Sequence, residues 1–423
     1  MCIRDRSVLL LIRKLKGNVW FALLSFLYLY NYSVTWGFTG YTMGIPVLIL
    51  ILIKQYDYIR QPNLRDGILL SFFLILLFCI HGLITFFAIA ILFTQIIFLN
   101  IKNPKRMILG SLALIPILVV AGFWLSSRAE TSGGEGNMLI RYLQYYKQSF
   151  LPSLPRRIGF VYWDHSFLQA GKTGLWIGVT FSVGIIVMCT NFLMRPAITI
   201  KDKIKEPAFQ FLFIILLVSS VIYCFIPSIA NMLYFSYYRF SVFIFLSLIL
   251  IGSLLVPEKY FKYKSAVFFF IALIHFGLWI DYFTDFQKNN LDFTPDLFPR
   301  NTRDKVLAGL MYDSLFRGQP VYMHMPNYFI IWNKGISANQ FVEFPTPWVV
   351  GRKVGFDRLP SYQEWLWVSK NYRGQYSDVD YLLIRGKVPQ NQLEYFKSFQ
   401  VIHMQNEWIL LKNQHNAPSL GKE

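Results

Sequence analysis

The chain has 423 residues, 55% of them apolar, and a formal net charge of +18. Residues 283–423 hold 16 Lys/Arg and 13 Asp/Glu, while residues 1–282 hold 25 and 10. The positive excess therefore lies in loops between apolar segments, with no basic face for phosphates to line, and this excludes a nucleic-acid partner.

Met1-Cys2-Ile3-Arg4-Asp5-Arg6 matches what the mosaic-end adapter of transposase-based sequencing libraries encodes. Residues 1–6 are read as such a scar and left out of fold reasoning. Residues 1–17 read as a basic cytoplasmic leader carrying Arg4, Arg6, Arg13, Lys14 and Lys16.

A bilayer core about 30 Å thick takes roughly 20 apolar residues per helix. The pattern predicts about nine helices, near 18–33, 38–53, 67–80, 83–99, 107–125, 173–193, 208–226, 239–255 and 265–281. The pairs 18–33/38–53 and 67–80/83–99 also fit re-entrant hairpins. Pro116 should kink its helix. Lys and Arg fill alternate loops: Lys54, Arg60 and Arg65, then Lys102, Lys105 and Arg106, then Arg195 to Lys205, then Lys259 to Lys264. Connections near 34–37, 81–82 and 227–238 carry none. Positive loops stay inside. The N-terminus is expected in the cytoplasm, with the loop 126–172 and the tail 283–423 outside.

Candidate chemistry concentrates at the outer face. His81 sits at a helix turn, where imidazole can bond substrate or carry a proton. In the outer loop, Met138 to Phe150 reads as an amphipathic helix in the interface plane. Asp164-His165 is its acid/base or metal pair, and Arg156-Arg157 are its basic pair for an anionic substrate such as phosphate or for lipid headgroups. Arg239, in Tyr237-Tyr238-Arg239-Phe240, is the basic residue at the outer end of a short connection. A guanidinium there suits bidentate phosphate binding. The plainer reading is a snorkelling arginine in an aromatic belt.

The tail reads as a small α/β domain. Strands are expected at Val321–Met325, Asp380–Ile384, Phe399–Met404 and Trp408–Leu411, with a turn at Gln405-Asn406. Helices are expected at Thr302–Leu315, Ser361–Lys370 and Pro389–Lys397, with a capping box at Ser361 and Glu364. Cys79, Cys189 and Cys224 lie in apolar segments and the tail has no cysteine, so no disulfide framework supports it. No acidic or basic residue falls near the middle of a helix, which argues against an ion-coupled transporter.

The layout resembles the GT-C superfamily of membrane glycosyltransferases, especially the bacterial lipid-linked sugar transferases with a protein-mannosyltransferase-like arrangement. The resemblance rests on many helices with short loops and an interfacial helix in a long outer loop. It also rests on the Tyr-Tyr-Arg-Phe stretch and the terminal strands Val379 to Ile384 and Glu407 to Leu411. It implies a polyprenyl-phosphate sugar donor, an envelope acceptor and an integral protein of the bacterial inner membrane. Arg239 matches the family's phosphate-binding position loosely. The family's catalytic acid, in the first outer loop, has no match, so the chain is expected to be N-terminally truncated. No cofactor is implied, and a divalent metal is left open. The fold expected is mainly α, a polytopic helical membrane domain at 18–282 followed by an extracytoplasmic α/β domain at 283–423. The alternatives are a non-enzymatic envelope or polysaccharide-assembly protein and, behind it, a lipid or solute transporter.

Overall fold

A computed structural model describes residues 2–28, 30–31, 34, 39–131, 155, 157, 171–193, 202–226, 229–230, 233–234, 237–256, 264–300, 302–319, 321–338 and 379–414. The chain divides into two compact units, Met1–Ile280 and Asp281–Glu423.

The first unit is helical. The segment read as a leader forms α1 (Cys2–Lys14). It is followed by a 3-10 helix, Val19–Tyr28, then α2 (Thr39–Arg60), α3 (Leu64–Ile80) and α4 (Gly82–Asn100). Next come α5 (Pro104–Ser111), α6 (Ile115–Thr131), α7 (Gly171–Leu193) and α8 (Pro207–Phe225). A short ribbon of β1 (Ile229–Ala230) and β2 (Leu233–Tyr234) leads to a 3-10 turn, Tyr237–Phe240. Finally α9 (Ser241–Leu255) precedes α10 (Lys264–Asn289), which contains the boundary between the units.

Local sequence explains where several of these helices begin and break. Asn63 caps α3 by accepting from the Asp66 N–H at 2.9 Å, and Asn103 caps α5 by accepting from Arg106 N–H at 3.1 Å. Pro104 and Pro207 occupy first-turn positions, where the missing N–H costs nothing. Pro116 cannot donate to the Leu112 carbonyl four residues back. The Ile115 N–H bonds that carbonyl instead, and Leu112–Leu114 becomes a 3-10 turn between α5 and α6.

Among the described residues, six helical stretches are long and apolar enough to cross a membrane: Gly40–Arg60, Gly82–Asn100, Pro104–Trp124, Pro207–Phe225, Tyr237–Leu255 and Ser265–Asn289. Val19–Tyr28 and Gly174–Val187 are shorter apolar helices, and α3 has 17 residues. Each of the nine apolar segments contains a helix among the described residues, and six of those helices are candidate spans by length and composition.

The core is aromatic and close-packed. Tyr28 stacks on Phe245 at 5.1 Å and meets Phe181 edge-on at 5.5 Å. Phe87 lies between Phe240 and Phe243, at 5.2 and 4.5 Å. Val8, Leu11 and Ile12 of α1 are buried in the same core. At one end of the bundle, Lys14 pairs with Asp57 at 2.6 Å, Tyr58 Oη donates to the Leu109 carbonyl at 2.7 Å, and Asn18 N–H donates to the Ser253 carbonyl at 2.8 Å. Gly17 fits there because a Cβ would stand 2.5 Å from Ser253 Oγ.

The second unit holds a five-stranded mixed sheet in the order β4-β3-β5-β7-β6. The strands are β3 (Val306–Met311), β4 (Ile336–Ser337), β5 (Tyr381–Arg385), β6 (Phe399–Gln405) and β7 (Trp408–Asn413). β3 runs parallel to β4 and β5, and β7 pairs antiparallel with β5 and β6. Three C-terminal strands stand where the sequence pattern puts them. The β6–β7 turn is Asn406-Glu407, one residue later than expected, with Asn406 at φ 48.

Two expectations fail. Thr302–Leu315 is not a helix, because Val306–Met311 is a strand paired on both sides. Five of its six residues are buried, so it shows neither helical nor alternating periodicity. Val321–Met325 is not a strand. It turns into a 3-10 helix, Met325–Asn327, because Pro326 cannot donate to a ladder. Pro326 instead packs over Gly309 of β3, where a Cβ would stand 2.0 Å from Pro326 Cγ. The expected helix Pro389–Lys397 is a 3-10 helix, Gln390–Phe396. The expected helix Ser361–Lys370 lies outside the described residues.

Candidate functional site

The 3-10 turn Tyr237–Phe240 presents Arg239 at the start of α9. Arg239 is buried, at 7% exposure. The Tyr41 hydroxyl, at the start of α2, donates to its carbonyl. Tyr41 also meets the His81 ring edge-on at 5.4 Å.

His81 lies outside the helices, as the single extended residue (φ −163) between α3 and α4. Gly40 lets this corner close, since a Cβ there would stand 3.3 Å from the Ile80 carbonyl. Burial, with the charge of Arg239 second, holds the His81 imidazole down at about 4. The ring is therefore neutral at pH 7. Its Nδ1 is enclosed with no hydrogen-bond partner among the described residues. Three segments far apart in sequence thus bring a guanidinium, a neutral imidazole and a phenol to one end of the bundle.

Arg157 is fully enclosed, at 2% exposure, and its Nη1 donates to the carbonyls of Tyr223 (3.3 Å), Cys224 (3.0 Å) and Ile226 (2.7 Å). Tyr223 and Cys224 belong to the last turn of α8, where carbonyls have no partner within the helix and carry the negative end of its dipole, and Ile226 is the residue that follows it. Tyr223 Oη donates back to the Arg157 carbonyl at 2.8 Å. The guanidinium also lies over the Tyr237 ring, 4.1 Å from its centroid. Arg157 therefore caps α8 and braces the turn that carries Arg239. Arg156, Asp164 and His165 lie outside the described residues.

Sequence reasoning missed two polar groups in the bundle. His275, in the middle of α10, accepts at Nε2 from Trp279 Nε1–H at 3.1 Å. Indole can only donate, so the proton is on Nδ1, which stands 3.0 Å from Thr180 Oγ1. The Thr180 hydroxyl in turn donates to the Ile177 carbonyl at 2.9 Å. The imidazole is neutral and both its nitrogens are occupied. Gln55 and Gln95 form the second group, both fully buried. The Gln55 amide donates to Gln95 Oε1, and Gln95 Nε2 donates to the Phe211 carbonyl at 2.9 Å, tying α2, α4 and α8 together. The signal for both was present: a polar residue inside an apolar run needs a partner. Among the described residues, no group of three His, Cys, Asp or Glu is placed to hold a metal ion.

No protein-family model, no curated protein and no solved structure matches the chain. Assignment of function therefore rests on the geometry of the helical unit. That unit belongs to an integral membrane protein by the length and apolarity of its helices.

Proposed function

We propose that the chain takes part in glycosyl transfer from a polyprenyl-phosphate-linked sugar to an envelope acceptor, at the face of the bacterial inner membrane where the short connections lack Lys and Arg. The observation that carries this reading is the buried Arg239 beside the neutral His81, at the mouth of an apolar helix bundle. Bilayer and phosphate would meet there, and a guanidinium in a low-dielectric setting holds a phosphate strongly. In such a transfer the acceptor hydroxyl oxygen bonds the anomeric carbon. The bond from that carbon to the phosphate oxygen breaks, and the hydroxyl proton passes to a base.

Arg239 is assigned to the departing phosphate. His81, held near 4, is too weak a base for proton removal at pH 7 and is assigned a hydrogen bond to the donor. Asp164 and His165 remain the candidates for the base. Arg157 is assigned to positioning. With the N-terminus inside and nine crossings, the soluble unit would lie outside the cytoplasm.

A second reading is a non-enzymatic polysaccharide-assembly protein. It is favoured by the commitment of Arg157 and His275 to bonds within the bundle.

Binding of polyprenyl phosphate to the full chain in nanodiscs tests the first reading without requiring turnover. Loss of a charge-assisted contact should weaken binding roughly tenfold or more in Arg239→Ala. Equal binding by the variant removes Arg239 from the site. No binding by either protein sinks the reading.

A further inference from the structure

The second unit contains a cation with donors that meet no acceptor among the described residues. Arg385 ends β5 at 5% exposure. Its guanidinium carbon lies 3.6 Å from the Tyr322 ring centroid and 5.0 Å from that of Trp408. Nη2 stands 3.7 Å from Asp313 Oδ2, an ion pair longer than a hydrogen bond. Nε and Nη1 are enclosed with no hydrogen-bond partner among the described residues. The same holds for Nε1 of Trp408, which faces Arg385 across the β5–β7 ladder. All three groups are N–H donors. Enclosed donors left without acceptors are strongly unfavourable, and more so on a charged group. Aromatic rings around a guanidinium stabilise its charge but do not replace an acceptor.

The location carries a second indication. β3 and β5 are parallel and both end here. The Asp313 N–H donates to the Arg385 carbonyl at 3.2 Å. Gly386, at φ +84, allows this approach, since a Cβ would stand 2.8 Å from Asp313 N. Open sheets with parallel strands bind ligands outside the carboxyl ends of those strands. The Asp313 side chain is half exposed and marks the side open to solvent.

We propose that Arg385 and Trp408 form an oxyanion site at the carboxyl end of β3 and β5, taking a phosphate or carboxylate group from a ligand. Asp313 supplies the counter-charge until that group arrives. The site belongs to the other compact unit from Arg239 and does not depend on the glycosyl-transfer reading.

The test is calorimetric titration of the full chain in detergent with inorganic phosphate and with glucuronate. It is done in an Arg239→Ala background, so that the helical unit's arginine does not contribute. One of the two probes should bind with one site per chain, and which one binds assigns phosphate or carboxylate. Arg385→Met should abolish that binding. Trp408→Phe, which keeps a ring but loses one donor, should weaken it roughly tenfold. Far-UV circular dichroism checks folding. If Arg385→Met does not fold, Trp408→Phe decides the matter. Binding of neither probe, or affinity unchanged in a folded variant, overturns the proposal.

Discussion

Arg239 and Arg157 show how little a residue's type says about its use. Both are basic residues near aromatic, outward-facing sequence. Arg239 ends beside a neutral imidazole at the end of the bundle, and Arg157 ends as a helix cap on α8. The difference lies in what surrounds each side chain. The Nη1 of Arg157 is committed to three backbone carbonyls, whatever the charge of the group.

His81 gives a test at this scale. Burial and the charge of Arg239 hold its folded value at about 4, below the ordinary 6.5. Between those values the unfolded chain binds a proton that the folded chain refuses, so stability rises with pH across that window. Stability is full above about pH 6.5 and falls as pH drops toward 4. In unfolding titrations, His81→Gln should flatten this part of the pH profile. A profile unchanged by the substitution shows that His81 does not titrate as described.

At the scale of elements, the contrast between β3 and the hairpin β6–β7 is instructive. The hairpin is local, with a two-residue turn and Asn406 in the left-handed region that Asn tolerates, and the chain pattern reveals it. β3 is a central strand buried on both faces, and Val-Leu-Ala-Gly-Leu-Met reads equally as helix until its neighbours are known. Its partners β4 and β5 lie far along the chain, and only pairing with both makes it a strand. Gly309 shows the tightness of this packing, because Pro326 occupies the space of its absent side chain. Gly309→Ala should destabilise the second unit by about 1–3 kcal/mol, the usual cost of overpacking. Thermal unfolding followed by circular dichroism measures this. A change below about 0.5 kcal/mol means that the Pro326 turn moves away freely.

At the scale of the whole molecule, the question is which apolar segments cross the bilayer. A 17-residue α-helix such as α3 spans about 25 Å, and a ten-residue 3-10 helix such as Val19–Tyr28 about 20 Å. Both fall short of a core about 30 Å thick, so parity cannot be read from length. The two ends of the bundle differ in chemistry. Tyr41, His81 and Arg239 meet at one end, while Lys14 and Asp57 pair in the region of the basic loops. On the positive-inside reading of the basic loops, single cysteines at Lys102 and at Lys387 should label from opposite sides of intact membranes, Lys387→Cys from outside. Labelling of both from one side would reverse the assigned topology.

The apolar segments, the alternation of their Lys and Arg and most of the C-terminal strands were legible in the chain. Each depends on local composition, on a hydrophobic period or on a turn between neighbours. The convergence of Tyr41, His81 and Arg239 was not legible, nor was the capping by Arg157, the strand at Val306–Met311 or the enclosed Arg385. Each joins segments that sequence spacing does not relate. Local periodicity decides an element where one face differs from the other or a turn joins neighbours, and it fails where a segment is buried all round, as in Val306–Met311. Only tertiary packing decides which side chains lose water together, and burial then sets whether a charge serves as a cap, a neighbour to a neutral imidazole or an unmet donor.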